Sequence, residues 1–177
     1  NVVSVNAALS ACEKAGQWQR ALALLWDMPR HRLAPNAISF SASISACEKG
    51  ESWEHAVGQL RGILECRLDP SIVTYNAVAS GCEKGAQWQR TLSVLEELLQ
   101  HGPEPDVFTY GAALGACLVG RQWARALEVV ADMRRRHLEL NTITCQAAFS
   151  ACEMGGRRLA AQGFLAAAAR RGSVLVR

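Results

Sequence analysis

The chain has 177 residues, half of them apolar but only 6% aromatic, and a formal net charge of +3. That apolar content excludes a disordered chain, and no run approaches the ~18 apolar residues a membrane-spanning helix needs, so no membrane partner is expected. The small charge neither requires nor excludes a polyanion, because only the contacting face has to be basic; residues 1–106 carry 9 Lys and Arg against 12 Asp and Glu, residues 107–177 carry 10 against 4.

Cys12-Glu13-Lys14 opens a series that returns as Cys47-Glu48-Lys49 and Cys82-Glu83-Lys84, with the cysteine alone continuing at Cys117 and Cys152. Trp18, Trp53, Trp88 and Trp123 keep the same spacing, as do Pro35, Pro70 and Pro105. A fixed period in this range means stacked structural units, none of which buries its apolar face alone. Five units follow, at 2–36, 37–71, 72–106, 107–141 and 142–176. The pattern is already under way at Asn1, which stands where Asn36, Ser71, Asp106 and Asn141 stand later. No targeting segment is visible, and the chain is expected to be part of a longer array.

In chain order, each unit first predicts a short helix. Val5, Ala8, Leu9 and Cys12 in the first unit, and Tyr75, Val78, Ala79 and Cys82 in the third, fall three and four residues apart on one helix face. Gly16, Gly50, Gly85, Gly120 and Gly155 follow, where a left-handed helix cap is expected. A second helix comes next, carried by Trp18, Ala21, Leu22, Leu24, Leu25 and Met28 in the first unit and by Trp123, Ala126, Leu127, Val129, Val130 and Met133 in the fourth. Proline in the link then stops it. The fold expected is all-α, a solenoid of five helical hairpins. In the fifth unit Arg158 replaces the tryptophan, Ala168 the methionine and Val176 the small polar residue, which suggests an end cap or the edge of the array.

The seven cysteines do not form a disulfide or zinc framework on this reading. Five sit in equivalent slots of successive units, ~10 Å apart if helices pack normally, which is too far for a disulfide. No Cys-x-x-Cys pair occurs, so no metal or other cofactor is expected. Buried, reduced thiols remain as the expectation. The tryptophans read as packing residues at the head of each second helix rather than as stacking platforms for bases. Lys14, Lys49 and Lys84, the only lysines, share one slot. They suit either a phosphate backbone met at regular intervals or the negative end of a helix dipole.

The unit's marks are Val-Thr-Tyr-Asn at the start (Val73 to Asn76), Lys before a glycine, Ala then Met in the second helix, and Pro-Asp or Pro-Asn at the end, over a 35-residue period. The chain resembles the pentatricopeptide repeat family in its plain 35-residue class, and the resemblance covers essentially every residue. It implies a right-handed α-solenoid of helix-turn-helix repeats that binds single-stranded RNA, one base per repeat. It also implies that the fifth and last residues of a unit read the base: Asn6 with Asn36, Ser41 with Ser71, Asn76 with Asp106, and Gly111 with Asn141. The second residues, Val3, Ile38, Val73, Phe108 and Ile143, would sandwich it, and Lys14, Lys49 and Lys84 would meet phosphates. An ionised Asp106 is an acceptor and suits the imino N–H of uracil, whereas asparagine both donates and accepts. The register implied is 5′-YRUA-3′ (Y pyrimidine, R purine), with Gln146 and Val176 of the fifth unit reading nothing. Helix capping is an alternative role for the last-slot residues, and both roles can coexist. Action on a plastid or mitochondrial transcript is likewise implied by resemblance alone.

Catalysis is not expected. His137-Leu138-Glu139 matches half of a zinc deaminase signature, but the Pro-Cys-x-x-Cys half is missing. His31, His55, His101 and His137 form no helical ligand pair, and no glycine-rich phosphate loop precedes a helix. The competing reading is a scaffold of the tetratricopeptide type that holds a peptide or helix in its groove.

Overall fold

The structure, a computed structural model, describes residues 1–156. Among them nine α-helices run in order: α1 (Val2–Lys14), α2 (Trp18–Asp27), α3 (Ala37–Lys49), α4 (Trp53–Glu65), α5 (Ile72–Lys84), α6 (Trp88–His101), α7 (Val107–Val119), α8 (Trp123–Arg135) and α9 (Thr142–Met154). A short 3-10 turn, Pro29–His31, follows α2. The fold is an all-α repeat solenoid, as the period predicts. Arg158, Ala168 and Val176, on which the reading of the fifth unit as a cap depends, lie outside the described residues.

Each odd-numbered helix starts the same way. Asn1, Asn36, Ser71, Asp106 and Asn141 sit in the N-cap slot, and each side-chain oxygen accepts from the backbone N–H three residues on, at 2.8–3.3 Å. A cap of this kind contributes ~0.5–2 kcal/mol per helix by satisfying a donor the helix cannot.

The odd helices pack side by side, α1 on α3, α3 on α5, α5 on α7 and α7 on α9, and each even helix fills the groove between two of them. Among the described residues no two even helices touch in this way. The odd row is therefore the tighter one, and the array bends with α1, α3, α5, α7 and α9 on its inner side. The core lies between the rows, where Leu9, Ile44, Val78, Ala113 and Ala148 meet Leu25, Ile63, Leu98 and Met133. Each large apolar side chain buried there contributes ~1.5–3 kcal/mol. Cys47, Cys82, Cys117 and Cys152 are fully buried, and all seven cysteines are free thiols. Burial pushes Cys47, Cys82 and Cys117 up to about 11, which keeps them as unreactive thiols at neutral pH.

Of the recurring glycines Gly16 is the left-handed cap expected, and the other four differ. The left-handed residue after each odd helix is Gly16, Glu51, Ala86, Arg121 or Gly156, with φ of 55–68°. Gly50, Gly85, Gly120 and Gly155 stand one place earlier, with ordinary φ between −74° and −89°. Their requirement is space. A Cβ on Gly50, Gly85 or Gly120 would lie 2.1–2.4 Å from Cδ1 of Trp18, Trp53 or Trp88 of the preceding unit, and one on Gly155 would lie 2.6 Å from Cε3 of Trp123. The tryptophans thus lock neighbouring units together. Trp18 also lies against the ring of His55, at a centroid distance of 4.8 Å.

Candidate nucleic-acid interface

Positions two, five, nine and twelve of each odd helix share a face, and the packing leaves that face open. Val3, Ile38, Val73, Phe108 and Ile143 form one column along it and are 63–80% exposed. They make up most of the large apolar side chains that the described residues leave in solvent. A column of such groups at every unit offers flat apolar surface at regular intervals.

Beside the apolar residues of the first four units lie the fifth and last residues of each unit. Asn76 donates from Nδ2 to Asp106 Oδ2 at 3.0 Å and to Oδ1 at 3.2 Å. Oδ1 of Asp106 also takes the backbone N–H groups of Phe108 and Thr109, each at 3.0 Å. Asp106 Oδ2, with one bond in place, keeps acceptor capacity beside the amide donor of Asn76. In the first unit Asn6 Nδ2 reaches Asn36 Oδ1 at 3.4 Å. Asn36 Oδ1 also takes the Ser39 backbone N–H, whereas Asn6 Oδ1 takes one bond from the Ser39 hydroxyl, so that pair keeps both donor and acceptor capacity. Ser41 and Ser71 are joined indirectly through the Thr74 hydroxyl, at 2.6 and 3.1 Å. Gly111 brings no side chain to Asn141, whose Oδ1 is held by Thr144. Capping and outward presentation coexist in the last-slot residues.

Ser39, Thr74, Thr109 and Thr144 are components the sequence reading passed over. All are buried, and their hydroxyls sit under the pairs. Thr109 Oγ1 lies very close to Asn76 Oδ1 and 3.1 Å from Asp106 Oδ1. Ser39 Oγ plays the same part, 2.7 Å from Asn6 Oδ1 and 3.0 Å from Asn36 Oδ1. By accepting from the hydroxyl, the asparagine carbonyl is turned inward and its NH2 toward the cap residue. The signal was available, since a hydroxyl recurs at Ser4, Ser39, Thr74, Thr109 and Thr144 with the common period.

The lysine slot is more complex than a row of free cations. Lys49 is ion-paired with Glu13 at 2.9 Å, and Lys84 with Glu48, in each case across a unit boundary. Both side chains stay about half exposed, at 44% and 47%. Each ammonium can meet a further oxygen, but its charge is already shared. Glu83, next in the glutamate column, is half-buried, and burial raises its carboxyl above the usual carboxylate range while Lys84 draws it back.

Around the third and fourth units the face deepens into a groove of about 440 Å³, lined among others by Val73, Asn76, Glu83, Phe108, Gly111 and Asn141. Helical hairpins stacked at a fixed period, with this apolar column along one face, define an α-helical repeat protein. The chain belongs to the pentatricopeptide repeat family: the PPR repeat family model matches residues 1–49, the PPR repeat model 73–103 and the pentatricopeptide repeat domain model 93–162.

Solved structures agree in fold. The pentatricopeptide repeat protein PPR10 from maize superposes with a TM-score of 0.78 at 24% identity, over 94% of this chain and 24% of that one. PPR10 in complex with an 18-nt psaJ RNA element gives 0.71 at 24% identity, over 94% and 25%. The PPR domain of Arabidopsis thaliana protein-only RNase P 1, in complex with tRNA, gives 0.84 at 16% identity, over 99% and 91%. The chain spans about a quarter of the PPR10 structures it matches. No curated protein matches it by sequence.

Proposed function

We propose that this chain binds single-stranded RNA along the odd-helix face, one base per unit, without transforming it. The observation that carries the reading is the exposed column Val3, Ile38, Val73, Phe108 and Ile143, flanked in the first and third units by a polar pair held in orientation by a buried hydroxyl. Bases are flat, apolar on their faces and polar at their edges, and unstacked single strands offer both to a protein. An apolar side chain at every unit takes the faces and the pairs take the edges.

The pairs favour the register 5′-YRUA-3′. Asp106 Oδ2 beside an Asn76 N–H complements the N3–H and neighbouring carbonyl of uracil. The pair Asn6/Asn36, able to donate and accept, suits either pyrimidine, cytosine or uracil. Ser41 and Ser71, small and able to donate or accept, leave room for a purine, and Gly111 leaves more. Lys14, together with the shared charges of Lys49 and Lys84, would meet phosphates. The structures of pentatricopeptide proteins with RNA support RNA as the class of ligand. A plastid or mitochondrial transcript is the target the family resemblance favours.

Fluorescence anisotropy with RNA containing 5′-YRUA-3′, the scrambled RNA and an amphipathic helical peptide tests the reading. We expect the first RNA to bind tightest and to be recovered uncut. Preference for the peptide would favour a protein-binding scaffold, and equal binding of both RNAs would contradict base reading.

A further inference from the structure

The glutamate column follows a rule that fails once. Glu13 pairs with Lys49 and Glu48 with Lys84, so each acid reaches the lysine of the next unit. Glu48 also accepts from Ser80 on the neighbouring helix, at 3.1 Å. For Glu83 both partners are missing: Gly115 occupies the serine slot and Val119 the lysine slot. Its carboxylate reaches over α7 into the space above Gly115, where a Cβ would lie 1.9 Å from Oε1. Gly111 lies one turn earlier on the same helix face, with nothing within 4 Å of its Cβ position. The groove of about 440 Å³ runs over this strip, bounded by Phe108, Ile143, Asn141 and the Glu83 carboxylate.

We propose that Glu83 selects the base at the fourth unit, its carboxylate accepting a hydrogen bond from the exocyclic amino group of a purine lodged over Gly111. The inference rests on the RNA reading above and deepens it. The missing side chain at Gly111 leaves room for the larger class of base. A carboxylate only accepts, so it favours an amino edge and repels the carbonyl edge of uracil. It stands half-buried in the groove that Phe108 and Ile143 also line, where an unpaired acceptor is costly and a donor correspondingly favourable. Asn141, whose Oδ1 is held by Thr144, keeps its NH2 for a ring nitrogen or carbonyl of the same base. The fourth unit, weakest of the four when judged by its pair alone, thereby gains a third reading group from the preceding helix.

The test compares RNAs 5′-YRUX-3′ in which X is adenosine or purine riboside, which differ only by the amino group, on wild type, Glu83→Leu and Gly115→Ser. We expect wild type to bind the adenosine RNA about tenfold more tightly and Glu83→Leu to bind the two alike. Gly115→Ser gives the carboxylate a local hydroxyl partner and displaces it, so it should also lose the preference. Circular dichroism checks that each variant is folded, and two different substitutions guard against one failing to fold. An equal ratio in wild type, or a ratio that survives Glu83→Leu, overturns the proposal. So does a gain in affinity that is uniform across both RNAs, the signature of a removed negative charge alone. If wild type selects uracil at the third position but not the amino group at the fourth, the Glu83 assignment falls and the RNA reading stands. If no RNA binds, both fall.

Discussion

Thr109 has one hydroxyl proton and two acceptors in reach, and the closer one is Asn76 Oδ1. That bond decides which end of a nearly symmetric amide faces Asp106 and which is turned inward. Thr109→Val keeps the shape and removes the proton. We expect Thr109→Val to reduce the preference for uracil over cytosine at the third position several-fold, with both pair residues intact, at a stability cost of ~0.5–1.5 kcal/mol. Competition anisotropy and urea unfolding measure the two effects. A preference that stays at the wild-type ratio would reduce Thr109 to a capping residue. Glu83 makes a separate prediction at this scale. Burial raises its folded pKa, so the native chain holds that proton more tightly than the unfolded chain does. The associated stability is complete below the ordinary glutamate pKa and is lost as pH rises through the raised value. Glu83→Gln should therefore melt higher than wild type at pH 7, with the gap closing near about pH 4. A gap that widens toward acid would contradict this.

At the scale of the element, neighbouring units are held by a tryptophan pressed against the glycine that ends the next odd helix. Gly120→Ala would place a methyl 2.4 Å from Trp88 Cδ1, on a backbone whose φ of −74° suits alanine. We expect it to destabilise the array by ~1–3 kcal/mol through overpacking, and Gly120→Ala with Trp88→Leu to recover part of that loss. Thermal unfolding of the single and double variants measures it, and a neutral Gly120→Ala would show that the units do not depend on this contact. The sequence made the glycine slot visible, but the left-handed cap it pointed to holds for Gly16 and not for the four later glycines. A glycine after a helix usually marks a left-handed cap, and here that conformation falls one residue later, on Glu51, Ala86 and Arg121. The tryptophan slot was legible as packing, whereas its target lay in the next unit and needed three dimensions. The apolar periodicity was legible throughout: Tyr75, Val78, Ala79 and Cys82, read as one helix face, are all fully buried.

At the scale of the described array, the odd helices pack in one continuous row and leave the column of their second residues exposed along it. The period announced that alignment, but the sequence concealed the pairing of Lys49 and Lys84 with Glu13 and Glu48, because partners 36 residues apart lie in different units. These pairs temper the attraction for a polyanion. Glu13→Gln with Glu48→Gln should free both ammonium groups and strengthen RNA binding. The double change should also steepen the log–log salt dependence by about 0.7 for each lysine that gains a phosphate. An unchanged slope in salt titrations would place the lysines away from the strand.

The base-reading edge is tested most directly by the affinity of the chain for single-stranded RNA with uracil or cytosine opposite the third unit, in wild type, Asn76→Ala and Asp106→Ala. Wild type should favour uracil by the ~1–3 kcal/mol of a good paired contact, and each substitution should abolish that preference while leaving a residual affinity independent of the base. Equal binding of both RNAs by wild type, or a preference that survives both substitutions, would contradict the account.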